Sequence, residues 1–464
     1  MTQPKVLGYL PDEKPSLGKL ILYAIQQVIV MFPATVTVAL ITGFQVSTTI
    51  FASGLATVCF ILITGRKIPM YYGSSFAYLS AISGLIAAQG FVKVDGILPP
   101  EAISIAQFGI IASGLVSIAA GLLVRLGGMK MVEKILPATI TGPIAMIIGL
   151  TLAGNAMMDA APQAAQSQAV WVVSLITLVS TVIYSRKLKG FLGQLPLLLG
   201  ALTGCLAAGL LYVLDPVNMN FFRQISQAAL DASSWKLGDG SFFALPAFTL
   251  PKVSWLAVAA IMPIAIATIP ESTAHIYQLD IYVDDLARKK GRGKFGIEKL
   301  LDRNLIGDGI CDMVSGAVGG PAGTNYGENI STMAITKVFS VPVMAAAGIF
   351  AMVISCFTPL IKVIYGIPIA VIGGLEIYLF GAIAAQGIAI LIDKKVSMFD
   401  AKNIAVIATI MTFGLGVNYA FGGNINMFGI NVPAVAGAAI LGIILNFILS
   451  IGDKNTEKTD EISA

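Results

Sequence analysis

"GGPAGTNYGENISTMAITK" spans Gly319–Lys337, and its reading decides the fold. Three glycines, Pro321 and the triplet Asn325-Tyr326-Gly327 interrupt an apolar sequence just before Glu328, where a short helical pattern resumes. Glycine and proline punctuate local structure. Inside a bilayer, irregular backbone is tolerated only where it is covered by protein or lines a cavity. An upstream stretch echoes this one: "YYGSSFAYLSAI", Tyr71–Ile82, also sets Tyr-Gly ahead of polar residues. A second pair repeats the relation. "LPATITGPIAMIIGL" has Pro137 with Gly142 five residues on, and "IPIAVIGGLEIYLFG" has Pro368 and Gly373 at the same spacing. The chain therefore reads as two related halves, each holding one broken segment.

Composition places those halves in a membrane. Of 464 residues, 56% are hydrophobic and 12% charged, against roughly 25% charged in soluble globular chains. A soluble fold this apolar would lack a polar skin. The net charge of +4 carries no partner information, because membrane orientation accounts for where the cations sit. Cys59, Cys205, Cys311 and Cys356 are scattered through apolar stretches and read as small buried hydrophobes, not as a disulfide set or a metal site. The polar opening "MTQPKVLGYLPDEKPSLGK" is too long for a cleavable signal, so the first apolar run reads as a retained helix.

Runs long enough to span, or to enter and break, fall near 18–43, 47–64, 74–91, 104–125, 135–157, 168–186, 194–214, 253–275, 304–318, 325–338, 341–363, 366–392, 402–418 and 432–451. The expectation is an all-α polytopic protein of 14 segments. With the N-terminus inside, the cytoplasmic side receives all 29 lysines and arginines except Lys93, Arg223, Lys236, Lys252 and Lys362. That asymmetry is what the positive-inside rule asks for, and it places both termini in the cytoplasm. Seven segments per half is odd, so the second copy enters upside down. Inverted repeats with interrupted helices in matching positions mark secondary transporters, whose sites lie between the broken segments. The stretch 216–252 reads as an external loop joining the halves.

Ionisable residues inside such segments each need a reason, since one at helix centre costs about 2.5–3.5 kcal/mol on insertion scales. The candidates are Glu271, His275, Asp308, Asp312, Glu328 and Glu376. Asp312 reads as helix-end solvation. Glu376 reads equally as a structural or oligomer-contact residue and as a functional one. Glu271 and His275, the only histidine, stand four apart and share a helix face. Glu328 opens a short helix whose free N–H groups suit carbonyl or anionic oxygens, while its carboxylate accepts from ligand N–H groups. Ser75 and Phe76 in the mate stretch offer a second set of N–H groups and a flat aromatic face. Together these features want a neutral cyclic amide.

"GTNYGENISTMAITKVFS" resembles the signature of the nucleobase–ascorbate transporter family (nucleobase:cation symporter 2), matched here by Glu328, Asn329, Thr336 and Lys337, with Ser331 where the family has glycine. "YYGSSFAYLSAI", "LDRNLIGDGICDMVSGAVGG" and "IPIAVIGGLEIYLFG" also look like family segments in the right order, so the likeness covers about residues 20 to 450. It implies a 7+7 inverted repeat, short strands in broken segments 3 and 10, and usually a homodimer. It implies a core domain (18–130 and 253–363) and a gate domain (134–215 and 366–451). The Tyr-Gly-Glu-Asn version looks like bacterial uracil permeases of the inner membrane, carrying uracil with a proton and using no cofactor, nucleic acid or metal. On that resemblance Glu328 and Glu271 contact the ring, Phe76 and Gly327 offer backbone N–H groups to its carbonyls, and Tyr326 and Ser75 line the pocket. Glu271, His275 and Asp308 would then serve proton coupling. Gln27, where those permeases tend to have histidine, and Asp308, which resembles the purine carriers, keep a xanthine permease, proton- or sodium-coupled, open as the alternative. A channel would need a continuous polar pore, an intramembrane enzyme would need a catalytic set, and an anion carrier would show a cation where Glu328 stands. None of these patterns is present.

Overall fold

The computed structural model of the chain describes residues 8–128, 136–163, 167–226, 229, 234–236, 242–427 and 430–451. Lys5, Lys130, Lys134, Lys454 and Lys458, counted above on the cytoplasmic side, lie outside the described residues, as do position 135 and parts of the 216–252 loop. The chain runs through α1 (Leu17–Thr42), α2 (Val46–Ile63), β1 (Tyr72–Ser74), a single 3-10 turn at Phe76–Tyr78 and α3 (Leu79–Ala88). Next come α4 (Pro100–Gly127), α5 (Ala138–Thr151), α6 (Ala153–Ala160), α7 (Ala169–Lys187) and α8 (Pro196–Leu214). A small antiparallel pair, β2 (Ser234–Lys236) and β3 (Ala244–Pro246), leads to α9 (Trp255–Ile261), α10 (Ala265–Lys289), α11 (Leu301–Val318), β4 (Gly323–Asn325) and α12 (Gly327–Thr336). The chain ends through α13 (Val341–Ser355), α14 (Thr358–Tyr365), α15 (Ile369–Asp393), α16 (Ala401–Phe421), the β5 (Asn424–Met427)–β6 (Ile430–Pro433) pair and α17 (Ala434–Ser450).

Among the described residues nine helical stretches are long and apolar enough to cross a membrane, and Phe76–Ala88, Val341–Ser355 and Ala434–Ser450 are shorter apolar helices. Two sequence boundaries need correction. The helix holding Glu271 and His275 does not end near 275 but continues to Lys289, because its last turns are polar and carry no hydropathy signal. The run expected at 341–363 stops at Ser355 and restarts at Thr358, with Pro359 supplying the restart.

Apolar helices in lipid gain nothing from burial against one another, so small residues and close backbone contact hold them. Here α4 packs along α11 and α2 along α13, while α15 packs on α5, α6 and α7 and α16 on α17. The seams are glycine. A Cβ on Gly348 would lie 2.7 Å from the Gly54 carbonyl oxygen, and Gly114 and Gly309 block each other in the same reciprocal way. These contacts give two helix groups. One holds α1, α2, α4, α11 and α13, and the other holds α5 to α8 and α15 to α17.

At the centre, β1 and β4 pair antiparallel, with Tyr72 opposite Asn325 and Ser74 opposite Gly323. Both strands are wholly buried. Non-helical backbone at membrane depth needs partners inside the protein, and here they come from the facing strand, from flanking residues (Tyr326 N–H to the Tyr71 carbonyl, Ser75 N–H to the Ala322 carbonyl) and from side chains of α2 and α11. Gly319, at φ 98°, closes α11 with its N–H on the Ser315 carbonyl and turns the chain toward β4, a conformation glycine adopts freely. Thr57 Oγ1 receives the Tyr72 N–H at 3.0 Å. Asp312 Oδ1 accepts the Gly323 N–H at 2.8 Å and the Tyr72 hydroxyl as well. Asp312 is therefore not a solvated helix end. It is 2% exposed and ties both strands to α11.

Candidate functional site

Each strand delivers its chain to the start of a short helix, and the two starts face one cavity. The cavity measures about 330 Å³, within the roughly 300–1,000 Å³ of small-molecule pockets. Ser74, Ser75, Phe76 and Ala77 form one side; Thr324, Asn325, Tyr326, Gly327 and Glu328 form another. Ala267, Glu271 and His275 of α10, spaced by fours, make one face of that helix and the third side. The fourth wall comes from the other helix group: Ala145 and Ile148 of α5, with Leu379, Ala382, Ile383, Gln386 and Ile390 on one face of α15.

Seven of the eight site residues named from sequence line this cavity, and Asp308 does not. It sits behind the wall, 7% exposed, where its carboxylate accepts from Asn325 Nδ2 at 2.8 Å and from the Ser272 hydroxyl. Asn304 Nδ2 reaches the same Ser272 hydroxyl at 2.7 Å. Asp308 thus holds the strand that precedes α12. Gln27 is also withdrawn: its side-chain oxygen accepts from Asn329 Nδ2 at 2.7 Å, and its backbone carbonyl accepts from the same amide at 3.0 Å. The signature asparagine therefore anchors α12 to α1.

The two half-helix starts are not equivalent. Tyr326 caps α12 without a side-chain hydrogen bond, so the first N–H groups of that helix, Gly327 among them, are open to a ligand. In the other half, the Ser75 N–H is already given to the Ala322 carbonyl at 2.9 Å. Its hydroxyl caps the Ala77 N–H at 3.3 Å. Phe76 is left as the donor on that side, narrower than the pair of N–H groups expected from sequence. Tyr326 is fixed at its tip, where its hydroxyl donates to the Ser74 carbonyl at 2.9 Å and lies 3.0 Å from Thr35 Oγ1. Its ring covers Gly73, leaving no room for a Cβ there.

Glu328, exposed to the cavity, and Glu271, half-buried, lie within Coulombic reach of each other. His275 does not hydrogen-bond Glu271. Its ring is turned toward the α12 start, where a Cβ on Gly327 would stand 2.8 Å from Nε2. Nδ1 is buried and unpartnered among the described residues. Sharing a helix face brought the two side chains to one cavity without joining them. Gln386 and Thr35 were not singled out from sequence. Gln386 had a signal, an amide at helical spacing from Leu379 and Ile383 on an otherwise apolar face. Thr35 had none, since its partner lies in the other half. As a unit, the cavity offers backbone donors, two carboxylate acceptors, an aromatic side and an apolar lid. Those groups suit a small planar molecule carrying both N–H groups and carbonyls.

Comparison with known proteins points the same way. The permease family (Xan_ur_permease) matches residues 18–423. The chain is 33% identical over 452 residues to the uracil permease of Bacillus caldolyticus, covering 94% of each chain. It is 34% identical over 442 residues to the putative pyrimidine permease RutG of Escherichia coli (strain K12), covering 95% of this chain and 91% of that one. Among solved structures, the transmembrane domain of a cyanobacterial bicarbonate transporter, BicA, matches with a TM-score of 0.57 at 15% identity, over 94% of this chain and 98% of that one. At that identity the last match speaks for the fold alone.

Proposed function

This chain belongs to the permease family, and from that premise we propose that it imports uracil across a bacterial cell membrane by proton symport with alternating access. One observation carries the reading: a single cavity brings together the two half-helix starts, Glu328 and Glu271. Uracil is a planar ring with two N–H groups and two carbonyls. Glu328 accepts from the ring N–H groups, assisted by Glu271, and the backbone N–H groups of Phe76 and Gly327 meet the carbonyls. Tyr326 holds one face of the ring, while Ile148, Leu379 and Ile383 cover it from the opposite helix group. Gln27 and Asp308, the residues that kept xanthine open, are bonded within the chain and lie outside the cavity lining, so neither supplies a direct contact that would select a purine.

The architecture fits fourteen segments in an inverted 7+7 repeat. α2 packing on α13 and α4 on α11 are contacts that such a repeat exchanges, and β1 pairing with β4 and α5 with α15 are contacts it maps onto themselves. The two helix groups correspond to a core and a gate with the substrate between them. Sliding one against the other would open the cavity to each side in turn. Both termini are assigned to the cytoplasm by the cation asymmetry. Glu271 takes up a proton with the substrate and returns it on the cytoplasmic side.

Radiolabelled uracil uptake, in cells lacking their own carriers, tests the substrate. The expected outcome is saturable uptake that collapses with a protonophore and is unaffected by excess unlabelled xanthine. Absence of uracil uptake would overturn the substrate, and its block by xanthine would favour a purine carrier. Glu271→Gln tests the coupling. Accumulation against the gradient falls at least about tenfold, whereas exchange of preloaded uracil for external uracil survives, because exchange needs no net proton movement. Loss of both in equal measure would make Glu271 a ligand contact only.

A further inference from the structure

Glu376 lies on α15, outside the substrate cavity and unused by the mechanism above. It is 0% exposed, neither carboxylate oxygen accepts from a donor group among the described residues, and the polar group it meets is the Asp159 carboxyl. A buried carboxyl without a donor beside it is costly to ionise, and intramembrane ionisable groups mark functional sites by default. Because the side chain is fully covered within one chain, it cannot be the oligomer contact that sequence left open. Its neighbourhood is specific. One turn before it, Gly373 lies so close to α6 that a Cβ would strike the Asp159–Ala160 peptide. That contact brings Asp159 and Glu376 into one electrostatic environment.

The countercharge comes from the opposite helix group. Lys93, in the connection between α3 and α4, shares a separate cavity of about 290 Å³ with Asp159, Ile41 and Phe91. Its ammonium is held by the Ile41 carbonyl at 2.5 Å and acts on both acids. Arg223 acts on Asp159 from the loop after α8, but its guanidinium is committed to the Asp95 carbonyl at 2.8 Å. The acid pair therefore belongs to one group of helices and its main cation to the other. A movement that carries the α3–α4 connection away from α6 and α15 separates them.

We propose that Asp159 and Glu376 form a second proton site, filled from water when Lys93 withdraws and emptied when it returns. Two carboxylates side by side in an apolar setting cannot both stay ionised without a counter-cation. One proton in for one ammonium out leaves the local charge unchanged. The inference rests on the two-group motion proposed above and adds a proton-binding step remote from the substrate.

Purified protein labelled with dicyclohexylcarbodiimide, which couples to protonated carboxyls in apolar surroundings, tests the site by mass spectrometry of the Glu376 peptide across pH. Lys93→Gln should raise the pH midpoint of labelling by about one unit or more, and Asp159→Asn should lower it by a similar amount, since a neighbouring charge moves a carboxyl by that order. Midpoints within 0.3 units, marking no more than about a twofold change in proton affinity, would overturn the proposal. Uptake by Asp159→Asn over external pH 5 to 8 supplies the second arm, with a flattened profile expected and an unchanged one refuting the step. If the chain carried no uracil, the labelling shifts would still appear while uptake vanished, so the two readings fail separately.

Discussion

Glu328→Gln lowers uracil affinity by about a hundredfold or more, read as the Kd of purified protein for radiolabelled uracil. The carboxylate stands in the first turn of α12, exposed to the cavity, where it can offer two oxygens to two ring N–H groups. A hydrogen bond to a charged partner contributes about 1.5–3 kcal/mol, and 1.4 kcal/mol is tenfold in Kd. Glutamine keeps the shape, loses the charge and turns one acceptor into a donor aimed at a ligand donor. Asn329 holds α12 to α1 through Gln27, so the helix start stays where it is and the loss reflects recognition. A Kd within about threefold of the unaltered chain would remove Glu328 from the ligand contacts and leave Glu271 as the acceptor.

What the sequence made legible was local, and what it hid was paired across the halves. Hydropathy marked the spans, because an apolar run of the right length has one economical setting in a bilayer. The glycines and Pro321 marked the break before α12, and the Tyr-Gly echo at Tyr72-Gly73 marked its mate. Together they singled out Glu328 and Phe76 at matching half-helix starts, and the acid–imidazole spacing singled out Glu271; the structure sets all three on one cavity. The same logic failed for Asp312, because its Tyr72 partner lies in the other half and no spacing rule links them. It failed for the Ser75 N–H, which the Ala322 carbonyl claims from that half. It also failed for the end of α10, where polar turns extend past the apolar run. Fold class follows from periodicity and length. Whether a donor is free or taken follows from tertiary contacts, which one sequence does not display.

Asp312→Ala should cost more stability than any single change among the cavity-lining residues, and the contrast with Asp312→Asn shows why. Both bonds that bind β1 and β4 to α11 end on the same oxygen, Oδ1, one from the Tyr72 hydroxyl and one from the Gly323 N–H. Alanine leaves both donors buried without a partner. Each unsatisfied donor costs about 1–3 kcal/mol, so the loss is about 2–6 kcal/mol, together with the placement of both half-helix starts. Asparagine keeps an oxygen in the same position and can accept from both donors. The expected order in thermal unfolding of detergent-solubilised protein is therefore unaltered chain, then Asp312→Asn, then Asp312→Ala far below. Uracil binding should survive in the first two and be lost in the third. If Asp312→Asn unfolded as readily as Asp312→Ala, the charge and not the oxygen would be holding the strands. If both bound uracil normally, the β1–β4 pair would owe its position to the Thr57 and Tyr326 contacts instead. A stable Asp312→Asn that binds but does not accumulate uracil would move the acid from scaffold to proton path, a role that neither its burial nor its two bonds requires.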